Sequence, residues 1–183
     1  MISMGVTMLN SRLAEIRQQA NPPFTGASAG YGDFFVAKTK NAFGVDASSK
    51  IDGIELAMKT ILEETERARR FGFTETEYDR ARANYLQRVE SAYNEREKMK
   101  NDTYVNEYIS NFLDNEPMPG IEYEYAMMNQ LAPNIPVAAI NQVMQQLITD
   151  NNQVVLLAGP EKEGVKYPTK EEIAALLKQM KSF

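Results

Sequence analysis

Carboxylates, lysines, tyrosines and hydroxyls are the only side chains of this 183-residue chain that could do acid–base or nucleophilic chemistry, because it contains no histidine and no cysteine. The imidazole-based dyads and triads of most serine and cysteine hydrolases are therefore excluded, and so are the ligands that zinc and copper most often take. Carboxylates do stand close together, Glu63 with Glu64 and Glu122 with Glu124. Two of them about 5 Å apart across a cleft would suit a retaining glycosidase. All four fall in stretches of helical period, where solvated surface is the simpler reading. No Asp-x-Asp-x-Asp-Gly calcium loop occurs, and Asp46 and Asp52 have no ligand-like company. Gly26, Gly30 and Gly32 are not followed by a Lys-Ser or Lys-Thr pair opening a helix, so they read as strand bends or points of close backbone approach rather than a phosphate cradle.

The elements that must position any such groups are marked by period and punctuation. Leu9, Leu13 and Ile16 recur at helical spacing from Leu9 to Gln19, with Arg12, Glu15 and Arg17 around them, and Asn21-Pro22-Pro23 ends the helix. The stretch from Phe24 to Val45 predicts two or three antiparallel strands broken near Gly30 to Asp33 and near Lys40-Asn41, with Phe43 and Val45 on one face. A helix follows, capped by Ser48 or Ser49, with Ile51, Ile54, Met58, Ile61 and Leu62 as its buried stripe, Arg67 to Arg70 at its carboxyl end and Gly72 as its terminator. Thr74 and Glu77 form a capping box, with Phe73 stapling against Tyr78, so a long helix is predicted from Thr74 to about Lys98. Further helices are predicted over Thr103–Leu113, Ile121–Leu131 and Val137–Ile148, separated by proline-bearing breaks. Val154 to Ala158, bounded by Gly159-Pro160, reads as a buried strand of the sheet interior. A second Thr-x-x-Glu box at Thr169 and Glu172 opens a last helix reaching Met180. Met127-Met128 reads as core filling, and Tyr104, Tyr108, Tyr123 and Tyr125 either line a groove or keep their hydroxyls at the rim of the core.

Hydrophobic residues make up 43% and charged residues 25% of the chain, ordinary usage for a globular protein. A formal net charge of −5 speaks against nucleic acid as a partner, because counterion release needs a basic stripe. Arg67, Arg69 and Arg70, the densest basic cluster, sit among Glu63, Glu64 and Glu66. No apolar run approaches the roughly 18 residues that span a bilayer. The first residues carry no basic leader or cleavage site and read as entering a helix already in progress.

Ser11-Arg12-Leu13-Ala14-Glu15-Ile16-Arg17 followed by Phe24 and a strand, then Gly72-Phe73-Thr74-Glu75-Thr76-Glu77-Tyr78-Asp79-Arg80-Ala81, then Val154 to Pro160, resembles the pitrilysin and insulinase family of zinc peptidases in order and spacing. The resemblance covers about residues 9 to 160. It implies homologous α+β domains enclosing a chamber, only one of which carries the inverted zinc motif His-x-x-Glu-His. That motif has no counterpart in a chain without histidine.

The resemblance thus implies a non-catalytic domain that walls part of a peptide-binding chamber and supports a catalytic zinc peptidase domain, in the same chain or a partner subunit. It implies no catalytic and no metal-binding residue in this chain, zinc in the catalytic domain of the parent, a peptide substrate and a periplasmic or exported parent. In some relatives an arginine and a tyrosine of the non-catalytic domain reach the substrate; Arg17 matches the arginine, and Phe24, which lacks the hydroxyl, stands at the tyrosine's position. The expected fold is α+β, an antiparallel sheet of about three to five strands covered mainly on one face by long helices, resembling a processing-peptidase-like domain lacking its first strands. Residues 1–183 are expected to form a single partial domain, with the loop and helix of 161–183 leading to a following one. A stand-alone protein-interaction module and a small carboxylate-dependent hydrolase are the alternatives.

Overall fold

The structure, a computed structural model, describes residues 1–34, 37–161 and 164–180. Among these residues seven α-helices and two strands follow one another as α1 (Ile2–Arg17), β1 (Gly26–Phe34), β2 (Ala37–Ser48), α2 (Ile54–Phe71), α3 (Glu75–Glu95), α4 (Asn101–Asp114), α5 (Ile121–Leu131), α6 (Val137–Leu147) and α7 (Lys170–Met180). The fold is α+β, and its sheet has two antiparallel strands among the described residues, fewer than the three to five expected. The break predicted near Gly30 to Asp33 falls at the far end of that stretch, where the register shifts between Asp33 and Phe34 and β1 ends. The one predicted at Lys40-Asn41 does not occur: pairing runs on with Asp33 opposite Asn41 and Gly30 opposite Gly44. A Cβ at Gly26, Gly30 or Gly32 would meet nothing within 4 Å among the described residues, so these glycines mark no close backbone approach. The strand-to-strand connection lies outside the described residues.

The chain divides into two compact units, one made of residues 1–78 and 137–183 and the other of 79–136. In the first, α1 packs on β1, α2 on β2, and α6 on both helices. The largest fully buried side chains are Met8, Leu9 and Leu13 of α1, Phe24, and Ile140 and Met144 of α6. Gly5 is the point of closest approach, where an added Cβ would collide with the Met144 side chain. Phe43, Val45 and Ala47 are half-buried and alternate with exposed Gly44, Asp46 and Ser48, the period of a strand with one covered face.

Two asparagines hold this unit together by gripping single residues of main chain. Asn10 Nδ2 donates to the Ala29 carbonyl (3.0 Å) and the Ala29 amide donates to Asn10 Oδ1 (2.7 Å). A side-chain amide on α1 thereby takes the place of a neighbouring strand at the free edge of β1. Asn141 of α6 does the same at Phe73, accepting from its amide (2.8 Å) and donating to its carbonyl (3.0 Å).

Three local expectations are corrected. Neither Ser48 nor Ser49 caps α2: Ser49 Oγ donates to the Lys50 carbonyl, and a 3-10 turn over Ile51–Gly53 leads into the helix instead. The buried side of α2 is Ala57, Glu64, Glu66 and Ala68, while Ile51 is exposed and Ile54, Met58, Ile61 and Leu62 are half-buried. Small residues let the helix sit close to its neighbours, and the two glutamates are covered because arginines pair with them. The run Val154 to Ala158 is not a strand, and Val154 and Leu156 are 68% and 74% exposed. A continuous apolar run becomes a buried strand only between two others, and no strand lies beside it among the described residues.

In the second unit, Tyr93 of α3 and Tyr125 of α5 stack with ring centroids 4.5 Å apart. The Arg96 guanidinium lies 4.3 Å from the Tyr93 centroid and bonds Glu122 at 3.2 Å. Burial and the nearby Glu124 push the Tyr85 hydroxyl pKa up. Tyr104, Tyr108 and Tyr123 are exposed.

Candidate functional site

Arg17 closes α1 and is exposed, as a cation in the last turn of a helix is favoured to be. Gln18 caps the helix, and the chain passes through Pro22-Pro23 to Phe24, which is 1% exposed. The two candidate residues thus occupy different environments: Arg17 meets solvent and Phe24 is sealed in the core.

The concentrated polar chemistry beside them belongs to Arg12, one turn earlier on α1. Its Nε and Nη2 donate to Glu77 Oε1 (2.5 Å) and Oε2 (2.9 Å), and Nη2 also donates to the Gly72 carbonyl (2.9 Å). Its guanidinium lies 4.6 Å from the centre of the Phe73 ring. Glu77 is at the same time the capping-box residue of α3: Oε2 accepts from the Thr74 amide (2.8 Å) and hydroxyl (3.0 Å), and the Glu77 amide donates to Thr74 Oγ1 (3.3 Å). The Arg12 guanidinium, helped by the Thr74 amide, lowers the Glu77 pKa from 4.5 to about 2. A carboxylate held that acidic does not exchange protons near neutral pH, so this pair ties α1 to the start of α3 rather than acting as acid and base.

Around the pair is an open hollow between α1 and α2, bordered by Glu15, Gln19, Arg67 and the Phe71 side chain, which is 77% exposed. Further along α2, Glu66 accepts from Arg69 Nε (2.9 Å) and Nη2 (2.8 Å) and from Arg70 Nε (2.8 Å). Burial raises the Glu66 pKa, but the two guanidinium groups outweigh it and hold it below the usual carboxylate value. The bond to Glu66 raises the Arg69 pKa in turn. Glu64 pairs with Arg67 at 3.1 Å. Glu63 bonds only distantly, to Lys59 at 3.8 Å. The adjacent carboxylates of α2 are thus claimed by arginines and lysine of their own helix.

In sequence Arg12 stands with Glu15 and Arg17 among the charged positions around the apolar stripe of α1. Its partner is 65 residues away, and the available signal was its place between Ser11 and Leu13 in the stretch that carries the family resemblance. Among the described residues, no three His, Cys, Asp or Glu side chains converge as a metal site would. With imidazole and thiolate absent from the whole sequence, the donor set does not fit a resident zinc ion.

A protein described as zinc protease PQQL-like, from Arabidopsis thaliana, is 30% identical to this chain over 159 residues, which are 87% of this chain and 14% of that protein. The chain is thus similar in sequence to a protein described as a zinc protease, and in fold to the proteases that follow. Its fold agrees with theirs. The periplasmic protease PqqL from Escherichia coli superposes with a TM-score of 0.79 at 22% identity, over 97% of this chain and 20% of that one. The first half of the same protease gives 0.78 at 20% identity, over 97% and 38%. A predicted insulinase family protease from Yersinia pestis gives 0.76 at 12% identity, over 97% and 38%. No family model matches the chain. The chain spans about a seventh of the plant relative's length, 14%.

Proposed function

We propose that this chain is a non-catalytic portion of a pitrilysin-like zinc metallopeptidase, forming part of the peptide-binding chamber and supporting the catalytic domain. The observation that carries the reading is one combination: similarity over 159 residues to a zinc protease, in a sequence with no histidine or cysteine to hold zinc. In this reading zinc belongs to the parent's catalytic domain, the partner is that domain, and the substrate is a peptide. PqqL is described as periplasmic, which supports an exported parent. Residues 161–183 lead toward a following domain. Arg17 is the candidate peptide contact, because it is exposed, and Phe24 contributes from the core by fixing the chain that leaves α1.

The test is made in the parent enzyme. Arg17→Ala should raise KM for peptide cleavage while zinc content and the unfolding midpoint stay unchanged. The isolated chain should bind no stoichiometric zinc and cleave no peptide. Tightly held zinc together with chelator-sensitive cleavage by the isolated chain would overturn the reading.

A further inference from the structure

Arg17 makes no hydrogen bond or ion pair with another described residue, so its place is set by how the end of α1 is held. Two kinds of contact hold that helix. Met8, Leu9 and Leu13 are sealed in the core, but apolar burial rewards covered area and does not by itself fix the rotation of a helix about its axis. Directional bonds do. Arg12 makes them across the fold, five residues before Arg17. Five residues are about 7.5 Å of rise and about 140° of rotation, so the two guanidinium groups leave α1 on different sides.

The grip on Arg12 is triangulated. Nε and Nη2 meet the two Glu77 oxygens, Nη2 also meets the Gly72 carbonyl, and the Phe73 ring lies against the guanidinium. Its partners are themselves fixed, Glu77 by the capping box with Thr74 and Phe73 by the main-chain grip of Asn141. A planar fork whose acceptors are already in place admits one orientation, where an ammonium would admit many.

We propose that Arg12 is a positioning residue for the peptide contact at Arg17: its fork on Glu77 and the Gly72 carbonyl sets the rotation of the last turns of α1, and through them the point at which the Arg17 guanidinium meets the substrate. The inference rests on the reading of Arg17 as that contact. Loss of the fork should therefore be felt in substrate binding as well as in stability.

The test uses the parent enzyme with Arg12→Lys, Arg17→Ala and the double variant. Lysine keeps the charge and gives up the fork. Arg12→Lys should raise KM about threefold to tenfold with kcat and zinc content unchanged, since a misplaced binding group loses affinity without touching the chemistry. The double variant should show the KM of Arg17→Ala alone, because a residue that acts through Arg17 has no effect once Arg17 is gone. Glu77→Gln should give the same rise and the same non-additivity, and it carries the test if Arg12→Lys does not fold. Leu176→Ala, at a buried position of α7, is the stability control and should lower the unfolding midpoint while leaving KM as it was. Three results would overturn the proposal and leave Arg17 as the contact: effects that multiply in the double variant, an unchanged KM in both Arg12→Lys and Glu77→Gln, or an equal rise in Leu176→Ala. An unchanged KM in Arg17→Ala would overturn both.

Discussion

At the scale of single residues, Glu77 joins two jobs that usually fall to different side chains. It completes the capping box of α3 and receives the bidentate fork of Arg12. Its folded pKa, about 2, lies below the ordinary 4.5, so its contribution is fully present above pH 4.5 and is lost as pH falls from there toward 2. For a partly exposed pair that contribution is about 1–2 kcal/mol after solvent screening. Glu77→Gln should lower stability by that amount at neutral pH and flatten this part of the acid limb in denaturant unfolding measured across pH. Equal losses for variant and parent on acidification would show that the pair does not matter. Gly72 is the other decisive position. With φ +68° and ψ −156° it sits where residues with a Cβ are strained, and that Cβ would collide with the Asn141 side chain that grips Phe73. Gly72→Ala is expected to cost about 2–3 kcal/mol, read as a lower unfolding midpoint.

At the scale of elements, the helices were the legible part of the molecule. The boxes at Thr74–Glu77 and Thr169–Glu172 form as their spacing requires, the second with Thr169 N to Glu172 Oε2 at 2.7 Å, and α3 and α7 start beside them. Both Thr169 groups lower the Glu172 pKa. These motifs need only neighbours three residues apart, so no tertiary information is required to see them. The sheet was less legible, because the alternation of β2 shows which face is covered but not how many strands lie alongside. Asn10 illustrates the limit: in sequence it is a polar residue in a helix, in space it is the partner of an edge strand. Asn10→Ala leaves the Ala29 amide and carbonyl without those bonds, and should cost about 1–3 kcal/mol. The Ala29 amide should then exchange with solvent faster than the inner ladder amides of β1. Unchanged exchange there would count against the clamp.

At the scale of the whole chain, the two units differ in how much apolar surface they bury. The largest fully buried side chains all belong to residues 1–78 and 137–183, whereas in residues 79–136 only Ala81, Val89 and Ala132 are buried hydrophobics among the described residues. Local opening should therefore need less free energy in the second unit. Native-state hydrogen exchange is expected to show amides of α4 and α5 exchanging well before those of α1 and α6, and uniform protection across all four helices would contradict this. The plant relative, of which the matched segment is 14%, has further polypeptide around that segment.

Absent residue types are a property of composition alone, so the lack of imidazole and thiolate chemistry was settled before any fold was known. Helix positions and their capping followed from short-range periodicity in the same way. Only the folded chain decided that Arg12 meets Glu77 across 65 residues, that Phe24 is sealed away while Arg17 is not, and that Val154 to Leu156 and Phe112 of α4 face water. Burial and long-range pairing depend on which distant segments arrive beside a residue, and a pattern of apolar side chains states a need for cover without saying whether cover is present.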